Sequence, residues 1–307
     1  MKKISTCFVL LLLAATFSSF QAEAASSAKK APATAEQVVL AARHLKSVGD
    51  GEPFLLSVEA RFPAALLEGD IQAVWLGRKV TLPLARETAE GYSVFECLLA
   101  VPLDSKEASL PLKLVRGKEE LYSASILVEQ RVYPSQPLTV EQKYVTPDPS
   151  LTERIQKEQQ KNRAILGTIT PQRYWSLPLA RPVKGIITSE FGFRRILNGQ
   201  PRSPHRGVDF RGAEGTPILA CAAGKVVLAE EQYYSGNFVI IDHGLGVYSN
   251  YAHLSEYKCK VGDVVKAGQV IGLVGKTGRV TGPHLHFGFN VVGTAVTPEP
   301  IMENFRP

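Results

Sequence analysis

The chain has 307 residues, of which 45% are hydrophobic and 21% are charged. This composition is typical of a folded protein with room for two domains, and it excludes a disordered or fibrous chain. The 35 basic and 29 acidic residues give a formal net charge of +6. Because the basic residues form no long block, no nucleic-acid partner is predicted. The net positive charge agrees with a location at an anionic cell envelope.

The first 24 residues have the pattern of a cleaved signal peptide. Lys2 and Lys3 precede an apolar run over residues 8–15, and an Ala-Glu-Ala sequence at 22–24 fits the usual cleavage pattern. The run is too short to span a bilayer comfortably, and no later stretch approaches about 18 consecutive apolar residues. We therefore predict an exported protein of the periplasm or cell envelope, with no integral membrane segment after cleavage.

The next region is predicted to be a spacer followed by a β-rich domain. Residues 25–50 are predicted to form the spacer, with a short helix over 37–46 that exposes His44. Over residues 51–133, short runs with a period of two predict an immunoglobulin-like β-sandwich. Cys97 falls on the apolar face of one of these runs and is expected to be buried.

Residues 134–172 are predicted to be a linker that contains a helix. Prolines dominate its first half, and Ser150 with Glu153 resembles a capping box for a mostly polar helix that ends near Leu166. From residue 173 to residue 307 the pattern again predicts strands separated by glycine turns. The fold class is therefore all-β. Whether Cys221 and Cys259 form a disulfide is left open.

Five of the six histidines fall between positions 205 and 286. His205 stands four residues before Asp209, and His284 and His286 point to the same face if their segment is a strand. His253 could add a third nitrogen. A nitrogen-rich site with one carboxylate suits zinc, although a surface pair and a local turn would explain the parts separately. The spacing alone does not decide which of the three later histidines bind the metal.

Residues 186–296 resemble the lysostaphin-like, or LytM-type, zinc metallopeptidases that cleave peptidoglycan cross-bridges. The resemblance depends on four motifs in the family order, namely His205-x-Gly207-x-Asp209, Gly236-Asn237-x-Val239, Tyr251-x-His253-Leu254 and Thr281-Gly282-Pro283-His284-Leu285-His286-Phe287. It implies one Zn²⁺ per chain, held by His205, Asp209 and His286. It also implies that His253 and His284 act as catalytic base and transition-state stabiliser.

The resemblance further implies a β-barrel-like sandwich of duplicated hairpins with an open groove across the zinc. Asn237 resembles a residue that contacts substrate in the groove, although a structural role in a turn is as good an interpretation. Gly288 departs from the acidic or amide residue of many relatives. Arg206 and three other arginines on the loop 194–206 are candidates for contact with anionic muropeptides, or for simple solvation.

The expected function is hydrolysis of peptide cross-links in bacterial peptidoglycan by a zinc endopeptidase. Glycine bridges and direct D-amino-acid cross-links both stay open as the bond that is cut. The alternative is a non-enzymatic adaptor of the same fold, which binds the wall or activates another wall hydrolase. The domain at 51–133 could cover the groove and hold the enzyme latent.

Overall fold

The computed structural model describes residues 4–9, 39–61 and 71–303. Within these ranges the chain forms 23 strands and a single α-helix, which confirms the all-β fold class. No helix in the described ranges is long and apolar enough to cross a bilayer. Of the predicted signal peptide, only Ile4–Val9 is described, and it forms a strand; the cleavage pattern at 22–24 lies outside the described residues.

Ten strands build two five-stranded sheets in the N-terminal part of the chain, and these strands are β1 (Ile4–Val9), β2 (Val39–Leu45), β3 (Ser47–Gly49), β4 (Pro53–Arg61), β5 (Ile71–Trp75), β6 (Arg78–Thr81), β7 (Leu84–Glu87), β8 (Ser93–Ala100), β9 (Ser109–Arg116) and β10 (Glu119–Glu129). The first sheet has the order β1-β2-β4-β8-β7 and the second β3-β10-β9-β5-β6. Alternate residues of both sheets are buried against each other; for example, Phe54 and Trp75 meet edge to face at 5.3 Å.

The helix predicted for residues 37–46 is wrong over residues 39–45, which form β2. The segment has good helix formers, but it pairs with β4 and places Leu40 and Ala42 in the core, so tertiary burial overrides local propensity. His44 is correspondingly buried rather than solvated. Its Nε2 lies 2.8 Å from the hydroxyl of Tyr122, which belongs to the other sheet.

The predicted linker is more ordered than its prolines suggest. It contains β11 (Ser135–Leu138), two 3₁₀ turns at Gln142–Tyr144 and Pro149–Leu151, and the helix α1 (Thr152–Gly167). Asp148 caps the second turn by accepting from the Ser150 amide at 2.8 Å, so the predicted capping box is not what begins the helix. The thin apolar stripe is confirmed, because Ile155 is the buried residue of α1.

The C-terminal part contains twelve further strands, which are β12 (Ile187–Ser189), β13 (Arg194–Leu197), β14 (Gln200–Pro201), β15 (Val208–Arg211), β16 (Pro217–Leu219), β17 (Gly224–Gln232), β18 (Gly236–Gly244), β19 (Val247–Tyr257), β20 (Val264–Val265), β21 (Val270–Val274), β22 (His284–Val291) and β23 (Thr294–Val296). Ten of them form one sheet with the main path β12-β15-β22-β19-β18-β17-β20. The other two, β13 and β14, form a small sheet with the linker strand β11.

The two parts of the chain pack against each other. Arg78 of β6 donates to the carbonyl of Val292 at 2.5 Å and to the carbonyl of Gly167 at 2.8 Å. Arg173 pairs with Glu96 of β8 at 3.1 Å. A single cluster of buried apolar side chains runs through both parts, so the N-terminal sheets form a firm support for the C-terminal sheet.

The three cysteines of the described ranges are free thiols. Cys97 is fully buried, as predicted. Cys221 and Cys259 do not form the disulfide that the sequence left open. Cys221 is buried beside His243, while the thiol of Cys259 donates to the carbonyl of Ile271 at 3.3 Å.

Candidate metal centre and catalytic groove

Three neighbouring strands of the ten-stranded sheet bring the predicted site residues together. In the pairing of β15 with β22, Asp209 lies opposite His286, and His286 lies opposite Ala252 of β19 in the next pairing. His284 lies two residues before His286 and therefore on the same face of the sheet. The register of these three strands thus assembles side chains that are up to 77 residues apart in the sequence.

Three ligand atoms converge at this point. The Nε2 atom of His205 lies 3.0 Å from Oδ1 of Asp209 and 3.0 Å from Nδ1 of His286. The Nδ1 atom of His286 lies 2.9 Å from the same carboxylate oxygen. Two nitrogens and one carboxylate oxygen are a donor set that fits zinc. Such a set leaves one position of a tetrahedral ion open.

The hydrogen bonds of His205 support this fit. Its Nδ1 lies 2.8 Å from the carbonyl oxygen of Glu190, which can only accept, so Nδ1 carries the proton. Nε2 then presents a lone pair to an oxygen of Asp209 that is also an acceptor. Two acceptors 3.0 Å apart repel each other unless a cation lies between them, and a metal ion, like a proton on Nε2, can fill that position.

The charge state of the cluster also suits a cation. Burial alone would raise the pKa of Asp209, but His205 and His286 outweigh it through their charge and hydrogen bonds and hold this pKa well below 3.8. Burial lowers the pKa of His286 to about 4. At neutral pH the site therefore presents an ionised carboxylate and a neutral imidazole, which are the ligand forms that metals bind.

His253 reaches the site through an irregularity in its strand. Its φ is 68°, and the pairing of β18 with β19 shifts register around it. A left-handed residue inside a strand marks a bulge, which here re-aims the imidazole toward β22. The rings of His253 and His284 are 4.9 Å apart. Burial, followed by the charges of His284 and His286, lowers the pKa of His253 well below its usual value.

Backbone carbonyls fix the orientation of both remaining imidazoles. Nδ1 of His253 lies 2.8 Å from the carbonyl of Thr277, and Nδ1 of His284 lies 2.8 Å from the carbonyl of Gly282. Each ring therefore donates from Nδ1, and each Nε2 is the free atom. Nε2 of His284 lies 3.8 Å from Asp209 Oδ1, at the edge of the metal cluster.

Two glycines of the motifs are required by space. A Cβ on Gly207 would lie 2.6 Å from Cε1 of His286 and 2.6 Å from the carbonyl oxygen of Phe287, so only glycine lets the His286 ring lie where it does. A Cβ on Gly288 would lie 2.3 Å from the side chain of the buried Asn250. Gly288 therefore leaves room for Asn250 behind the site.

Sequence reasoning missed a hydrogen-bonded chain behind Asp209. Arg195 donates to Oδ2 of Asp209 at 2.7 Å and to Oγ of Ser189 at 3.0 Å. Ser189 in turn donates to the side chain of Gln136 at 2.8 Å. Gln136 lies on β11, which pairs in parallel with β13, the strand of Arg195. Only the grouping of arginines on residues 194–206 signalled this feature.

The two candidate substrate residues differ in their placement. Arg206 is exposed and lines the groove. Asn237 instead donates from its side chain to the carbonyl of Leu254 at 3.0 Å and accepts from the hydroxyl of Tyr257 at 3.2 Å. It does not line the groove, so the geometry favours the structural alternative for this residue.

The site opens into a groove of about 760 Å³. Its walls come from the linker, from the loop between β13 and β15, and from the segment that precedes β22. All of its lining residues lie between Gln136 and His286, and none belongs to the described parts of the N-terminal sheets. The described residues of the N-terminal sheets therefore do not cover the groove.

Comparisons with known proteins agree with this geometry. Residues 203–298 match the family described as peptidase family M23. The chain is 45% identical over 111 residues to peptidoglycan DD-endopeptidase ShyA of Vibrio cholerae, which covers 36% of this chain and 26% of that protein. It is 41% identical over 112 residues to DD-carboxypeptidase/endopeptidase Mpg of Neisseria meningitidis, with 36% and 26% covered. The matches thus span about a quarter of the length of these curated relatives.

The likeness in fold extends further than the likeness in sequence. A crystal structure of a protein assigned to peptidase M23 from Pseudomonas aeruginosa matches with a TM-score of 0.59 at 29% identity, and the match covers 76% of this chain and 88% of that one. Residues 173–307 are less than half of the chain. A match that covers 76% of the chain therefore also includes much of the N-terminal part. Residues 203–298 match peptidase family M23, and the resemblance to the lysostaphin-like, LytM-type peptidases is confirmed for these residues.

Proposed function

We propose that the chain is a zinc-dependent endopeptidase that hydrolyses peptide cross-links of bacterial peptidoglycan. The observation that supports this most strongly is the completeness of the site. His205, Asp209 and His286 converge as a ligand set, and two further oriented imidazoles stand beside them. The curated relatives of this domain carry names of peptidoglycan DD-endopeptidases, which supports the substrate class.

His205, Asp209 and His286 would hold the metal ion. When bound, the ion supplies Lewis-acid polarisation of the scissile carbonyl and lowers the pKa of water. Arg195 fixes the carboxylate of Asp209 from behind, so that the oxygen facing the two imidazoles keeps its position. Gly207 leaves the space in which the His286 ring lies.

His253 and His284 would handle the protons. His253 is buried and neutral, and its Nε2 is free to take a proton from the attacking water and to pass it to the leaving amine. His284 holds its ring against the carbonyl of Gly282; when protonated at Nε2, it can donate to the substrate oxygen that gains negative charge. Both roles depend on Nδ1–H being committed to the backbone.

Export to the periplasm or cell envelope is part of the proposal. The pattern of residues 1–24 and the peptidoglycan substrates in the names of the relatives both support it. Signal cleavage would remove β1 and leave β2 as the edge of its sheet. Amino-terminal sequencing of the protein from an envelope fraction tests this, and a chain that starts at residue 1 would contradict it.

The adaptor alternative requires a groove that binds but does not cut. The complete set of five site residues favours the enzyme, because an adaptor has no need of a metal ligand set. Autoinhibition by the N-terminal sheets would require them to move, since no described residue before Gln136 lines the groove. We therefore propose that the groove is accessible to peptides without removal of those sheets.

Digestion of purified peptidoglycan separates these functions. Zinc-loaded protein should release muropeptides with newly formed amino and carboxyl ends at the cross-links, as detected by mass spectrometry, and chelated protein should release none. Walls with glycine bridges and walls with direct cross-links, run in parallel, identify the bond. Binding to both walls without release from either would support the adaptor.

A further inference from the structure

Arg279 is a half-buried cation with no hydrogen-bonding or ionic partner for its side chain among the residues that the structure describes. Its guanidinium stacks over the ring of Tyr234 at 4.6 Å and lines the groove. Among the described residues it forms no side-chain hydrogen bond and no ion pair, unlike Arg195 or Arg173, which face carboxylates. A guanidinium that is partly removed from water and has no protein acceptor is stabilised by a ligand that supplies one.

The neighbours of Arg279 increase this cost. Burial lowers the pKa of Arg279, and the positive charges of Arg195 and Arg202 lower it further. Arg202 is held by uncharged acceptors, donating to the carbonyl of Val145 at 2.9 Å and to the side chain of Gln200 at 2.6 Å. The one carboxylate that lines the groove, Asp209, already faces Arg195. This wall of the groove therefore has an uncompensated positive charge.

The same wall adjoins the catalytic imidazoles. The amide of Arg279 donates to the carbonyl of Tyr234 at 2.9 Å. The next carbonyl, that of Ser235, accepts from the amide of His253 at 2.8 Å, and Thr277 accepts from the His253 ring. The backbone at residues 234–235 and 277–279 thus holds both His253 and Arg279. A group bound by Arg279 would therefore lie beside the peptide bond on which His253 acts.

We propose that Arg279, together with Arg202, binds a free carboxylate of the stem peptide next to the scissile bond. This inference rests on the proposed function and specifies its substrate class. Direct cross-links between D-amino acids carry free carboxylates, whereas a glycine bridge carries none within its length. A guanidinium matches a carboxylate with two parallel hydrogen bonds, so the site selects anionic cross-links over neutral ones.

The first test compares peptides that differ only in charge. The probes are a directly cross-linked stem-peptide dimer with free carboxylates, the same dimer with its carboxylates converted to carboxamides, and a pentaglycine peptide. For the zinc-loaded full chain, kcat/KM for the carboxylate dimer should exceed that for the amidated dimer by about tenfold or more. In Arg279→Gln this preference should fall to within about twofold, and Arg279→Lys should retain part of it.

Lys276→Gln is the matched control. It removes the same charge three residues away, but Lys276 pairs with Glu214 at 3.2 Å and does not line the groove. Its preference should equal that of the unaltered chain. Thermal unfolding midpoints show whether the variants fold, and the comparison of the two dimers with the unaltered chain needs no variant. Equal rates on both dimers, or an unchanged preference in Arg279→Gln, would overturn the inference.

Binding separates this inference from the proposed function. Calorimetry with the metal-free full chain should show tighter binding of a carboxylate stem peptide than of its carboxamide, and Arg279→Gln should lose the difference. If that difference is present but neither dimer is hydrolysed, the endopeptidase fails and the carboxylate site stands. If both dimers are hydrolysed alike and bind alike, the endopeptidase stands and the carboxylate site fails.

Discussion

The N-terminal sheets and the C-terminal sheet both bury polar side chains, but they satisfy them differently. In the N-terminal part, Asp50 accepts from the amides of Asp104 and Arg131, and His44 meets Tyr122. In the C-terminal part, His205 and Asp209 turn acceptor atoms toward each other. Buried polar groups that find hydrogen-bond partners within the chain stabilise the fold. Acceptor atoms that converge without a donor between them mark a site for a ligand.

Loss of the shared carboxylate should have the largest effect. Asp209→Ala removes the atom that both imidazoles face, so zinc binding should fall below detection and wall hydrolysis should drop by more than about a hundredfold. Zinc content by mass spectrometry and release of muropeptides measure the two effects. Retained hydrolysis in a variant that contains no metal would show that the site does not work through zinc.

Loss of the support behind the carboxylate should have a smaller effect. Arg195→Gln removes the hydrogen bond to Asp209 Oδ2, and zinc affinity should fall by roughly 10- to 100-fold while the chain stays folded. Competition with a chelator measures this, and Arg194→Gln, whose partner is the distant Asp104, is the control. Equal affinities in the two variants would remove Arg195 from the site.

The buried His243 should make stability depend on pH. Nδ1 of His243 donates to the carbonyl of Ala223, and burial lowers its pKa from 6.5 to about 4. Between these values the unfolded chain binds a proton that the folded chain does not, so stability is full above pH 6.5 and decreases as the pH falls toward 4. The contribution of His243 to this loss should be roughly 3 kcal/mol, measured by urea unfolding of the unaltered chain and of the His243→Gln variant at each pH.

His243→Gln should remove the part of this decrease that His243 contributes, while His253 and His286, whose pKa values burial also lowers, leave a remaining slope. A slope between pH 4 and 6.5 that is the same in the variant would assign the pH dependence to other groups. The comparison should be made with metal-free protein, so that protonation of the metal ligands does not displace zinc during the titration.

A buried polar residue of the N-terminal sheets should affect stability alone. Asp50→Ala leaves two amides without an acceptor and should lower the free energy of unfolding by about 1–3 kcal/mol. Zinc content and hydrolysis per folded molecule should not change, because Asp50 does not line the groove. Reduced zinc content in the folded variant would contradict this, because it would show that a change in the N-terminal part alters metal binding in the C-terminal part.

The sequence predicts much of this molecule because local patterns determine it. The period of two identifies the strands, and the His205, His253 and His284 motifs identify the residues that the sheet register then assembles. The strand at 39–45 is missed because its helix formers are overridden by pairing with β4. The contact between Gln136 and Ser189 joins residues 53 positions apart through β11, and no local pattern indicates such a pairing.

Arg279 illustrates the same limit. In the sequence it is one basic residue in a glycine-containing loop, and nothing there shows that it lacks a partner. That property depends on which acceptors surround it once Tyr234, Arg195 and Arg202 are in place. Absence of a partner is a feature of the folded chain, so a structure is needed to find it.

Zinc titration of the hydrolysis reaction tests the central claim most directly. Metal-free protein is given increasing zinc, and the release of cross-link peptides from purified peptidoglycan is followed at each step. We predict no release without zinc and a linear rise that saturates at one equivalent per chain, with no rise in Asp209→Ala. Full release by metal-free protein, or none at one bound equivalent, would contradict the account.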